Sequence, residues 1–163
     1  MAVLTRYRTA TGAGVLTALV LVLVFGSPMY RTWAADNTNP GTAGGWFLRL
    51  LGWPAWRFNS NDTFGNVLAD DLKAILLVVL TGVFLMLTTG QQLARARGTL
   101  SQLFAGWSAY IFAAALAALL TTFIRSNPSL LTAFKAAGDG ALYGLFTGWI
   151  IGIATLGHWR GSS

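Results

Sequence analysis

Between Ala136 and Leu156 a glycine returns at every fourth position, Gly140, Gly144, Gly148 and Gly152, inside a run that is otherwise apolar. Thr132 and Ala136 carry the same small-residue spacing backwards. Positions four apart on an α-helix advance by about 40°, so these residues make one narrow, slowly winding groove almost empty of side chains. The opposite face is bulky, with Leu142, Phe146, Trp149 and Ile153. A glycine costs a water-exposed helix about 1 kcal/mol against alanine, so four in register predict that another backbone lies close against the groove. The spacing is that of a glycine zipper, and it constrains assembly rather than chemistry.

The composition places such a helix in a bilayer. Apolar residues make up 55% of the chain and charged residues only 10%, whereas a soluble domain carries about 25% charged residues to cover its surface. The class is therefore integral membrane protein, and 163 residues make one membrane domain, 1–163. The formal charge is +6, and the Lys and Arg residues stand singly between apolar runs. No basic helix face follows a phosphate backbone, so nucleic acid is excluded and anionic lipid headgroups are the expected partner. There is no Cys, and His158 is the one His. Disulfides, thiolate chemistry and a multi-His metal or haem centre within one chain are thereby excluded, and no cofactor is expected.

The apolar runs predict an all-α, polytopic fold with four transmembrane helices at about 10–27, 72–89, 105–124 and 140–157, and an aromatic-rich outer loop over 28–71. The first run follows Arg6 and Arg8 and extends back to Ala10, which favours a retained span over a cleaved signal peptide. The third carries Ala105, Ala109, Ala113 and Ala117, a second small-residue stripe of the same spacing. An antiparallel hairpin of the third and fourth spans would set this alanine stripe against the glycine groove, close enough for dispersion and Cα–H···O contacts. Asp70 and Asp71 stand just before the second run, where they are expected to favour the positive end of its dipole. Ser126 or Asn127 is the expected cap of a helix over 129–137, which either extends the fourth span straight or bends into it at Gly138-Asp139-Gly140.

In the outer loop, Trp46–Leu51 predicts a two-turn helix ended by Gly52 and Pro54. Trp46, Trp53 and Trp56 bring indole rings, and Arg49 and Arg57 bring charges able to reach headgroups. Such a segment either lies along the membrane interface, caps the bundle with its own small core, or presents an aromatic surface to a partner. The basic N-terminus and the short Arg95/Arg97 loop favour both termini in the cytoplasm and a multi-pass location in the plasma membrane.

Constellations that carry chemistry are sparse. Gly106-Trp107-Ser108-Ala109 resembles the GxSG segment of rhomboid-type intramembrane proteases over four residues, with His158 as a candidate base. The motif's last Gly is Ala109 here, His158 lies past the end of its span, and the resemblance implies six spans where this chain has four apolar runs. Asn59, Asn61, Thr63 and Asp70 fall on a calcium-loop spacing, but Gly65 is one place late and the closing residue is Asp rather than Glu. The centres of the four runs lack Asp, Lys, Arg, His, Asn and Gln, which argues against an ion-coupled carrier. The expectation is a non-catalytic accessory, structural or regulatory subunit that binds another membrane protein. The alternative is a small homo-oligomeric channel or transporter in which the glycine groove, joined between copies, lines or seals a pore.

Overall fold

The computed structural model describes residues 2–56, 64–92, 99–125 and 129–157, and every regular element among them is helical. There are six helices: α1 (Ala2–Phe25), α2 (Pro28–Asn37), α3 (Ala43–Leu51), α4 (Phe64–Gln92), α5 (Thr99–Thr122) and α6 (Leu130–Gly157). Three segments are long and apolar enough to cross a membrane: Phe64–Thr88, Thr99–Thr122 and Leu130–Leu156. Ala10–Phe25 and Pro28–Asn37 pass the same test only together, across a bend of 62°. The chain is thus a multi-pass membrane protein with three such helices, or four if the bent pair is one span.

The four long helices form a ring in which α1 touches α4 and α6, and α5 lies between α4 and α6. Their shared core is built from small and medium residues such as Ala18, Val22, Leu77, Ala113 and Ile151, with Tyr110 and Tyr143 as its largest buried side chains. Large apolar side chains point outwards instead, among them Leu16, Val79, Phe112 and Ile153. Small inside and large outside suits a bilayer, where close backbone approach rather than water exclusion holds helices together. The buried hydroxyls of Thr81, Thr121 and Thr147 are satisfied within their own helices. Thr81 donates to the Leu77 carbonyl at 2.6 Å, Thr121 to Ala117 at 2.8 Å and Thr147 to Tyr143 at 2.6 Å, so none costs an unpaired polar group.

Two boundaries differ from those expected. Hydropathy starts the second span near residue 72, yet α4 is already helical at Phe64. Asp70 and Asp71 therefore lie well inside the helix, beyond reach of the orphan N–H groups that a cap would serve. α6 runs unbroken from Leu130, so Gly138-Asp139-Gly140 is no bend and 129–137 extends the helix straight. Its start is held by Ser129, whose Oγ accepts from the Thr132 N–H at 3.1 Å. Ser126 and Asn127, the expected caps, lie outside the described residues.

The break after α1 has a local cause. Gly26-Ser27-Pro28 ends one helix and starts another, with Ser27 Oγ accepting from Tyr30 N at 3.2 Å and Pro28 in the first turn. Gly26 is required by a close approach, since a β-carbon there would collide with the carbonyl oxygens of Pro54 and Val22. The segment after α3 folds back over this point. Trp56 donates its backbone N–H to Gly26 O at 3.0 Å and its indole N–H to Val22 O at 3.1 Å. The Gly26 carbonyl lies just past the last turn of α1, and the Val22 carbonyl takes the indole N–H beside the Gly26 N–H that it already accepts at 3.0 Å.

Candidate functional site

All four glycines of the repeat face α5. A β-carbon on Gly144 would stand 2.6 Å from the Cα of Ile111, one on Gly148 2.8 Å from Trp107 Cδ1, and one on Gly152 2.6 Å from Leu103 O. On Gly140 it would run into the carbonyl of Ala114. The partner ridge is therefore Leu103, Trp107, Ile111 and Ala114, rather than Ala105, Ala109, Ala113 and Ala117. Ala105 lies two positions from Leu103, about 200° round the helix. Ala109, Ala113 and Ala117 are buried and Ala105 partly so, and the other neighbour of α5 is α4.

The groove is filled mainly by the backbone of α5: the nearest atoms to Gly140, Gly144 and Gly152 are the Ala114 carbonyl oxygen, the Ile111 Cα and the Leu103 carbonyl oxygen. At Gly148 a side chain comes nearest: the Trp107 ring sits over the glycine and its indole N–H donates to Leu145 O at 2.9 Å. Gly106 on α5 makes a further backbone approach, 3.0 Å from a β-carbon built there to the Cα of Gly152.

The aromatic segment is packed onto the bundle. Trp46 meets Phe146 edge-on at 4.9 Å, and Trp53 stacks on Tyr143 at 4.9 Å. The Tyr143 hydroxyl lies 3.1 Å from that of Tyr110, fully buried. Lys73 Nζ stands 4.8 Å from the centre of the Trp53 ring, a cation–π distance. Lys73, Trp53, Tyr143 and Tyr110 thus form one column running from a charged surface into the middle of the bundle. Arg49 spends its guanidinium on α2, donating to Thr38 Oγ1 at 3.0 Å, Ala35 O at 2.8 Å and Thr38 O at 2.7 Å. That ties α3 to the C-terminal end of α2, where cations also favour the helix dipole. Arg57 lies outside the described residues.

Above the column is a cavity of about 270 Å³ with Trp53 and Lys73 in its wall. α5 contributes Thr121 and Thr122, the turn after it Arg125, and α6 Thr132, Lys135 and Asp139. Asp70, 4% exposed, joins two of these cations: Arg125 Nη2 at 2.6 Å and Lys73 Nζ at 3.4 Å. A carboxylate this buried is tolerated because it is paired. The residues come from α4, α5 and the turn after it, α6 and the segment after α3.

Sequence reasoning missed this cluster and the tyrosine pair. Asp70 and Arg125 are 55 positions apart, and nothing local marks them as partners. Tyr110 and Tyr143 did carry a signal, since a phenol inside an apolar span needs a polar contact for its hydroxyl. Ser108 donates to Ala105 O at 3.1 Å, a bond within its own helix, while His158 lies outside the described residues. Asn59, Asn61 and Thr63 of the calcium-loop spacing are likewise outside them. No protein-family model, curated protein or solved structure matches the chain.

Proposed function

We propose that the chain is a non-catalytic accessory or structural subunit of a membrane complex, with the glycine repeat acting as an internal zipper rather than as a pore lining. In this reading α1 and the start of α2 make a broken first span, so four spans place both termini on one side, the cytoplasmic side of the plasma membrane. The observation that carries the reading is the occupancy of the glycine face. Gly144, Gly148 and Gly152 each have atoms of α5 within 2.8 Å of where a β-carbon would stand, so their backbone is in contact with protein rather than with a channel lumen.

What remains for interaction is the outside of the bundle and the exposed side of α2 and α3, where Met29, Trp33 and Trp46 are uncovered. Aromatic and Met side chains are enriched where membrane proteins meet a partner or the interface. The test is extraction of the protein from its own membrane into lipid nanodiscs, followed by native mass spectrometry. The expected result is this chain bound to a different polypeptide in fixed ratio. A defined homo-oligomer with no other polypeptide overturns the reading and favours the channel alternative.

A further inference from the structure

The charged cavity contains groups of both signs whose bonding capacity is not used up by the described residues. Lys135 and Asp139 lie one turn apart on α6, both line the cavity, and neither has a hydrogen bond or ion pair among the described residues. Facing them from the turn after α5, Arg125 gives one Nη2 bond to Asp70, has no other side-chain hydrogen bond among the described residues and is 43% exposed, so further N–H donors are left for a ligand. Asp70 is committed to Arg125 and Lys73, which fixes the position of both cations. The cavity wall then offers a forked donor and an ammonium for an oxyanion, the pairing that suits phosphate. It also offers a carboxylate, Asp139, to which an anion alone would be repelled. A ligand with a cation near its phosphate resolves that conflict.

We propose that this cavity binds a phosphoethanolamine group, the chemistry shared by the phosphatidylethanolamine headgroup and free phosphoethanolamine. Arg125 and Lys135 hold the phosphate oxygens, and Asp139 accepts from the ammonium. The volume, about 270 Å³, is slightly below the ~300–1,000 Å³ of drug-sized pockets, so it fits a headgroup and leaves acyl chains outside. The position agrees with this. Lys135 and Asp139 are the charged residues of α6 among those described and stand in its first three turns, where an apolar helix leaves the hydrocarbon for the headgroup layer. Leu131 and Phe134, next to Lys135 on α6, are 67% and 68% exposed and give acyl chains an apolar surface beside the mouth.

The experiment uses the full chain in a maltoside micelle, which carries no phosphate. It is titrated with short-chain phosphatidylethanolamine, matched phosphatidylglycerol and free phosphoethanolamine, and bound adducts are counted by native mass spectrometry. Retention of phosphatidylethanolamine over phosphatidylglycerol by about tenfold is expected, the size of one charge-assisted hydrogen bond. Lys135→Gln lowers retention of both lipids, whereas Asp139→Asn removes the preference and leaves phosphatidylglycerol bound. Neither side chain has a hydrogen bond or ion pair among the described residues, so these variants keep the fold that Arg125→Gln puts at risk. Binding of free phosphoethanolamine identifies a soluble source, and binding of the lipid alone a membrane source. Equal retention of the two lipids by the natural chain, or unchanged retention after Lys135→Gln, overturns the proposal.

Discussion

At single positions the chain separates glycines that are needed from glycines that are not. A β-carbon on Gly144 meets the Ile111 Cα at 2.6 Å, and backbone cannot swing aside as a side-chain tip can. Gly144→Ile is expected to cost more than the about 1–3 kcal/mol of ordinary overpacking, seen as loss of a cooperative melt and of a monodisperse elution peak. Gly138 has nothing within 4 Å, so Gly138→Ala is expected to be neutral or to raise stability by up to about 1 kcal/mol. Asp70→Asn leaves Lys73 and Arg125 without their shared counter-charge. Losing one partner of a fully buried pair costs about 3–5 kcal/mol. Arg125 is 43% exposed and partly screened by solvent, so about 1–3 kcal/mol is expected here, read as a fall in melting temperature. The spacing of the glycines is visible in the sequence, whereas the role of Asp70 is not. A carboxylate before an apolar run looks like a cap until the helix is known to begin at Phe64.

Among the helices, existence was legible and relation was not. The apolar runs predict α4, α5 and α6, and Gly52 and Pro54 mark the end of α3. The spacing of small residues on both helices suggests small against small, whereas the α5 atoms nearest the glycines belong to other positions than Ala105, Ala109, Ala113 and Ala117. The atoms nearest the groove belong to Leu103, Trp107, Ile111 and Ala114, and most of them are backbone, so close approach of the two chains rather than the size of the facing side chains marks the contact. The fold-back of the loop after α3 was also hidden, since it depends on bonds from Trp56 to Val22 and Gly26 and on a ring stack between Trp53 and Tyr143. α2 and α3 touch little else in the bundle, and Arg49 supplies three hydrogen bonds between them. Arg49→Ala is therefore expected to speed amide exchange in α2 and α3 and to leave α5 and α6 unchanged, measured by hydrogen–deuterium exchange. Equal loss of protection in α5 and α6 would show that α2 and α3 support the whole ring.

For the molecule as a whole, the account rests on a bundle closed within one chain. α5 fills the glycine face of α6, Tyr110 and Tyr143 occupy the centre, and buried threonine hydroxyls bond to their own helices. A fold complete in one copy has a melting temperature independent of the protein-to-lipid ratio, whereas an interface between copies makes it rise with that ratio. On the proposed reading the glycine face lines no route for a solute, which would have to exchange its hydration for protein groups along the way. Solute release from liposomes containing the purified chain tests this most directly. The account predicts the same rate as protein-free liposomes at every protein dose. Release that rises with dose and is abolished by Gly148→Ile would contradict it, since the glycine face would then line a path between copies.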